Sequence, residues 1–412
     1  MSKRIFTAIS LVVLASLALA ACQPATPAFT PPTDALGVVT IPPGEPIHIA
    51  YWGVLSGADA TLGEDSKRGV EIAVDDRGGK LLGRDIRLTT EDGLCTPEGG
   101  ATAAQKLAAD TTLVGLIGSS CSDETVGGIK TLTDAGLTTI SPSNTRPALT
   151  FPDRDATFAG YLRTAHSDAF QGKAVAEFVY NELKLTTAAT VHDGSAYAEA
   201  LQGVFAEEYK KLGGTITVQE AVSKGQTDMK PVLTAIAATK PDVIYYPIFV
   251  AEGGFITAQA REVPGLENVA LIGSDGMFSA DMLKGAGPAA EGMYLSSPDF
   301  TAFQAGYKDF KAKHEAKYGG ATLSVFHAHA YDATNILFNA LEKVAVTAPD
   351  GTIYIPKGAL RAAIYATKDH QGLTGTLSCG QYGDCGAPII AVYQVTAENA
   401  ANLTLPDTPV WP

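Results

Sequence analysis

Positive charge is scarce in this sequence, cysteine is sparse, and the common signatures of catalysis are missing. Lys and Arg number 30 against 44 Asp and Glu, a formal net charge of −14. Such an excess of carboxylates disfavours nucleic acid or an anionic membrane face as a partner. Plain solubility accounts for it. There is no Gly-x-Ser-x-Gly elbow, no Walker loop, no His-Glu-x-x-His and no dinucleotide fingerprint. No cofactor is expected. No Cys-x-x-Cys or Cys/His cluster is present, which weakens any metal reading. His327 and His329 with Asp332 come nearest to one, but helical positions two apart face different ways and make a poor chelate. After the N-terminal segment no run approaches the roughly eighteen apolar residues that a bilayer span needs.

The N-terminal segment reads as an export signal over residues 1–21. Lys3 and Arg4 precede an uncharged, mainly apolar run over 5–19, too short for a comfortable span, and small residues follow it. Leu19-Ala20-Ala21-Cys22 looks like a bacterial lipobox, in which Cys22 carries lipid and becomes the new N-terminus. Loss of Lys3 and Arg4 takes the formal charge from −14 to −16. Residues 22–46 hold seven prolines, no Lys or Arg and no apolar periodicity. Such a stretch offsets little of its ordering entropy and reads as an extended tether. With Cys22 assigned to lipid, Cys95, Cys121, Cys379 and Cys385 remain. An even number in an oxidising compartment suggests disulfides. Cys379 and Cys385 flank Gly383-Asp384, a hairpin-like turn, and are expected to pair across it. Cys95 and Cys121 then pair, each in the loop after a strand.

The ~365 residues beyond the tether exceed one typical core. Strand and helix patterns alternate over 47–55, 64–77, 84–90, 97–109, 113–117, 123–134 and 137–141. This predicts a parallel, doubly wound α/β sheet. The alternation restarts over 171–183, 188–192, 197–212, 215–222, 229–238, 243–246, 254–262 and 269–272. The strand–helix–Gly-Gly–strand unit near residue 50 recurs near residue 190, so two similar lobes are expected. Helices over 303–318 and 323–344 should pack back on the first lobe. The division is 47–166 with 300–386 for the first lobe and 167–299 with 387–412 for the second.

In open parallel sheets, ligands bind beyond the carboxyl ends of the strands. The first lobe presents Ser56-Gly57, 119–122 and 142–145 there, hydroxyls and helix-start N–H groups that suit a carboxylate. The second presents 193–197, Ile248-Phe249 and Ser274-Asp275-Gly276, aromatics and carboxylates that suit an ammonium. Each Ser or Asp alone reads equally well as a helix cap or turn residue. Together they describe an amino-acid zwitterion. Asp275, just beyond a strand, is the candidate partner of the ammonium. If it is solvated in an open cleft, its loss should leave the stability of the empty protein nearly unchanged.

Several segments carry a family resemblance. They are Leu55-Ser56-Gly57 with Gly63 and Gly69; Asp92-x-x-Cys95 with Cys121-Ser122; Ser141-Pro142-Ser143-Asn144-Thr145; Arg163-Thr164 through Asp168 and Gln171-Gly172; His192-Asp193 with Tyr197; 242–246; Gly273-Ser274-Asp275-Gly276; and Tyr331-Asp332-Ala333. In this order and spacing, 47–395 resembles the type I periplasmic binding proteins, specifically the leucine/isoleucine/valine-binding family of ABC transporters. The resemblance implies two Rossmann-like lobes joined by three crossovers and closing on a ligand. It implies that Ser122 and Thr145 hold an α-carboxylate, with the backbone of Ser143 assisting and Tyr197 contacting the ligand from the second lobe. Asp275 would pair with the α-ammonium, where the family's amino-acid binders often carry Glu. Phe249 stands where a Tyr can be, and Leu62 where an aromatic can touch the ligand side chain. Cys95 and Cys121 match the family's first-lobe disulfide. Family members also take amides, urea and aromatic acids.

The leading expectation is a lipid-anchored, exported component of an ABC importer. It would not be an enzyme. It would capture an amino acid, branched-chain or otherwise apolar, or a related small amide, and hand it to permease subunits. A lipoprotein of the same fold that senses ligand for a membrane receptor is the alternative. A tethered hydrolase would need a nucleophile with a base, and the sequence shows none.

Overall fold

A computed structural model describes residues 29–412. The export segment and Cys22 lie outside the described residues. The first lobe runs through β1 (Val38–Ile41), β2 (Ile47–Gly53), α1 (Ala60–Asp76), β3 (Lys80–Leu81), β4 (Arg84–Asp92), α2 (Pro97–Ala109), β5 (Leu113–Gly118), α3 (Ser122–Asp134), β6 (Thr139–Ser141) and β7 (Tyr161–Arg163). β2 and β5 are buried along their whole length, as expected of central strands covered on both faces. They sit in a six-stranded sheet ordered β3-β4-β2-β5-β6-β7. All its pairings are parallel except β3 with β4. Local chemistry starts the helices. Thr96 accepts the Gly99 N–H at the head of α2, with Pro97 in the first turn.

The chain then enters the second lobe through α4 (Asp168–Glu177), β8 (Thr187–His192), α5 (Ala196–Lys211), β9 (Thr215–Ala221), α6 (Lys230–Ala238), β10 (Val243–Tyr245), α7 (Val250–Ala260), β11 (Ala270–Gly273), α8 (Ala280–Ala286) and β12 (Tyr294–Pro298). It returns to the first lobe for α9 (Gly306–Tyr318), α10 (His327–Val344), β13 (Val346–Thr347), β14 (Ile353–Pro356), α11 (Lys357–Tyr365), β15 (His370–Gln371) and β16 (Thr376–Leu377). A last crossing leads to β17 (Ile390–Gln394), α12 (Ala397–Asn402) and β18 (Pro409–Trp411). The second sheet is ordered β18-β17-β12-β11-β10-β8-β9, parallel from β9 to β12 and antiparallel at β17 and β18. Each lobe is thus a doubly wound α/β layer, and three crossings join them. Arg163, fully buried at the first crossing, bonds Asp384 near the last at 2.5 Å.

Four expectations shift. The proline-rich stretch is not all tether. Asp34 accepts the N–H of Ala359 at 3.0 Å, and β1 pairs antiparallel with β14, so this part of the stretch docks on the first lobe. Val39 and Ile41 on one face of β1 join the first-lobe core, an alternation too short to stand out among the prolines. The helix expected from 323 begins at His327, because the N–H groups of Leu323, Phe326 and His327 all go to the Asp65 carboxylate at 2.9–3.1 Å. The helix expected from 303 begins at Gly306, after a short turn capped by Asp299. Both expected disulfides are present, Cys95–Cys121 and Cys379–Cys385. The second closes a loop rather than a two-stranded hairpin. That loop lies along β7, where Arg163 N–H bonds the Gly383 carbonyl and Cys385 N–H bonds the Arg163 carbonyl. The hairpin in this region is β15–β16, upstream of both cysteines.

Candidate ligand-binding site

The carboxyl ends of β2, β5 and β6 open onto the cleft between the lobes, facing those of β8, β10 and β11. A narrow chamber lies there, lined by Leu62, Ser120, Cys121, Ser122, Ser143 and Phe326 from the first lobe and by Tyr197, Phe249, Asp275 and Gly276 from the second. Its free volume is only about 10 Å³, so the walls must part to admit even a small molecule.

The first-lobe wall is built by backbone packing and turn chemistry. Gly63 puts α1 directly on the end of β2; a Cβ there would sit 1.7 Å from the Val54 carbonyl oxygen. The close approach brings Leu62 into the chamber. After β5, Glu124 folds back and accepts the N–H groups of Ser120, Cys121 and Cys95, each at 2.9 Å. The carboxylate and the Cys95–Cys121 disulfide together lock this corner, which holds Ser122 at the head of α3. Burial pushes the Glu124 carboxyl up to about 7, while the three N–H groups pull it down. After β6, Ser141 Oγ accepts the N–H of Asn144 at 2.9 Å, and Ser143 donates its hydroxyl to the Ser120 carbonyl at 2.8 Å.

The second-lobe wall centres on Asp275. Its Oδ1 accepts from Gln171 Nε2 at 2.7 Å and from the Tyr197 hydroxyl at 2.9 Å. Both donors belong to the same lobe, so the carboxylate is held in place in the second lobe rather than free. The expectation that its loss leaves the empty protein's stability nearly unchanged shifts to a modest loss: Gln171 Nε2 keeps Ser296 Oγ at 3.0 Å and the Tyr197 hydroxyl keeps Ser274 Oγ at 2.6 Å, but each gives up one bond. Oδ2 has no bond within the protein among the described residues, and the side chain lines the chamber. Phe249 lies with its ring centroid 5.2 Å from that of Tyr197. Behind Asp275, Asp168 is fully buried. Burial, and then the charge of Asp275, push its carboxyl well above the usual carboxylate range.

Of the residues singled out from sequence, Leu62, Ser122, Ser143, Tyr197, Phe249 and Asp275 line one chamber. Thr145 does not. It lies just behind the wall, where its carbonyl accepts the Asp168 N–H at 2.9 Å, at the first crossing. Its hydroxyl is enclosed there with no bond partner among the described residues. Ser120, Cys121 and Gly276 lie in the cleft segments read from sequence without being singled out as ligand contacts, and sequence reading missed Phe326. Phe326 comes from far along the chain, held by the Asp65 contacts and by stacking on His166. His327 and Asp332 have other partners: His327 Nδ1 bonds Asp65 at 2.9 Å, and Asp332 accepts the N–H groups of Leu373 and Thr374.

Hydroxyls on one wall, a carboxylate opposite and apolar side chains between them make a receptacle for a small charged molecule with an apolar part. No nucleophile is paired with a base in it. Residues 46–398 match the family described as periplasmic binding protein. The chain belongs to that family. An amino acid binding protein of Pseudomonas aeruginosa is 27% identical over 58% of this chain and 63% of its own length. A Leu/Ile/Val-binding protein of Rhizobium johnstonii is 27% identical over 84% of this chain and 91% of its own. Among solved structures, the branched-chain amino acid transporter substrate binding protein of Streptococcus pneumoniae, in complex with isoleucine, aligns with TM-score 0.73 and 25% identity. That alignment covers 85% of this chain and 96% of the other. This periplasmic binding protein is accordingly an extracytoplasmic solute-binding protein and not an enzyme.

Proposed function

We propose that this protein captures a small amino acid, branched-chain or otherwise apolar, or a related small amide, and delivers it to an ABC importer. The observation that carries this reading is the pairing of opposite chemistries across a closed chamber. On one side Ser122 offers its hydroxyl beside Ser120 and Ser143, whose own hydroxyls are held within the wall, and on the other Asp275 offers Oδ2. Leu62, Phe249 and Phe326 receive the side chain. Ser122 and the Ser143 backbone hold the α-carboxylate, with the Thr145 hydroxyl turning in from behind. Asp275 takes the α-ammonium beside Tyr197. The relatives named for Leu/Ile/Val and isoleucine binding support the ligand class. The first lobe comprises 47–166 with 300–386 and the second 167–299 with 387–412, and the chain is anchored through lipid on Cys22.

The test is calorimetric titration against L-amino acids, their amides, and analogues lacking either charged group. Tightest binding by an L-amino acid with an apolar side chain supports the reading. Equal binding of a carboxylate that lacks the ammonium would overturn it. Mass spectrometry of the mature N-terminus tests the anchor; an unmodified terminus elsewhere sinks it.

A further inference from the structure

A small set of contacts outside the chamber joins the two lobes directly. Asp123, next to Ser122 in α3, reaches across and accepts the N–H of Ala196 at 3.0 Å, so a first-lobe carboxylate caps second-lobe helix α5 just before Tyr197. Lys224, in the β9–α6 loop of the second lobe, donates to the Cys95 carbonyl of the first at 2.9 Å and lies 3.6 Å from Asp59. Its ammonium also stands 5.1 Å from the centroid of the Phe249 ring, on the chamber wall. The loop that carries it is pinned, since Glu252 in α7 accepts the Gly225 N–H at 2.6 Å. Thr61 and Ser279 hydroxyls meet at 3.3 Å on the same seam.

The charges on this seam are unbalanced. Asp59 and Asp123 come from the first lobe, Asp193 and Glu252 from the second, and Lys224 is the cation that acts on both first-lobe carboxylates. Arg146 acts on Asp123 from its own lobe. When the lobes meet, carboxylates approach carboxylates, and like charges in a partly dry seam oppose closure. A surface lysine paired with one carboxylate would matter little. This one is about one-third exposed and bonds a backbone carbonyl of the other lobe besides, while its Asp59 partner is nearly enclosed.

We propose that Lys224 is the closure residue of this protein: its ammonium lets the acidic faces of the two lobes meet, and it sets the open–closed balance without touching the ligand. Asp123 is the second half of the same catch. The inference builds on the reading of the cleft as a ligand site, but it is testable without any ligand.

The Ala196 amide reports closure, because its acceptor lies in the other lobe. Lys224 does not touch it. In ligand-free protein, Lys224→Met should speed hydrogen exchange at the Ala196 amide, while amides inside α5 such as that of Phe205 keep their rates. Unchanged exchange at Ala196 would overturn the proposal. So would faster exchange throughout α5, which would signify a destabilised lobe. With L-isoleucine as the probe, Lys224→Met and Asp123→Ala should each raise the dissociation rate by on the order of ten- to a hundredfold and leave association nearly unchanged. Asp123→Asn keeps an acceptor for Ala196 and should recover most of the loss. Unchanged dissociation rates would defeat the closure role. Failure of the unsubstituted protein to bind L-isoleucine or any other amino acid would defeat the ligand reading instead, leaving the exchange experiment to decide on closure.

Discussion

Asp275 is an acceptor within its own lobe and, in the function proposed, the partner of the ligand's ammonium. In that proposed role its removal would leave a desolvated charge unpaired, which typically costs about 3–5 kcal/mol. Asp275→Ala should therefore weaken binding of the preferred amino acid by on the order of a hundred- to several-thousand-fold. Because Gln171 and Tyr197 each lose a bond but keep Ser296 and Ser274, the ligand-free protein should lose only about 1 kcal/mol as well. Titration and a melt of one variant check both; a lowered melt with intact affinity would leave Asp275 a structural role only. Glu124 makes a pH prediction. Its carboxyl is raised to about 7 in the folded state against an ordinary 4.5. A raised group contributes stability at low pH that is lost as pH rises through the folded value. The stability of the unsubstituted protein relative to Glu124→Gln should thus grow by up to about 3 kcal/mol as pH falls from about 8 to about 4. A difference that stays flat with pH would refute this.

At the scale of elements, one buried pair decides where α10 starts. Asp65 in α1 bonds the backbone of Leu323, Phe326 and His327, and its carboxylate meets the His327 ring at 2.9 Å. Burial alone would push the Asp65 carboxyl up. The His327 charge and the hydrogen bonds outweigh burial and hold it below the usual range. This segment places Phe326 in the chamber, so the pair links the first turns of α1, which carry Leu62, to the opposite side of the apolar pocket. Asp65→Ala leaves His327 Nδ1 and the N–H groups buried without their acceptor, while His327 Nε2 keeps Tyr307, and should cost roughly 3–5 kcal/mol. It should also weaken ligand binding, because Phe326 loses its anchor. Denaturant melts and titration of this variant test the link; unchanged affinity in a folded variant would break it.

The described residues form two lobes, each around one main sheet, joined by three crossings, with the chamber on the seam. Each lobe keeps its own covered strands, so the seam can open without exposing either sheet core. Ligand contacts from both walls then favour the closed form by their differential affinity. Small-angle scattering should show a smaller radius of gyration when saturating ligand is added. An unchanged radius would mean that the lobes do not move, and binding would need another entry route.

The sequence by itself determined the lobes, the alternation of strand and helix and the pairing of the four described cysteines. It also placed most of the chamber, because in a parallel sheet the loops at the carboxyl ends of the strands face one side. Leu62, Ser122, Ser143, Tyr197, Phe249 and Asp275 all sit in such loops or in the helix starts beside them. What the tertiary structure alone decided depends on partners far apart in the chain. Phe326 is delivered by a carboxylate more than 250 residues earlier, and α10 begins late because that carboxylate takes its leading N–H groups. Residues 38–41 are β-prone but isolated among prolines, and β14 supplies the edge on which they form a strand. Thr145 turns behind the wall because its carbonyl meets the Asp168 N–H at the first crossing. Local patterning encodes which face of an element is buried; which polar groups find each other across the molecule is set by how the lobes pack, and no spacing in the chain carries that information.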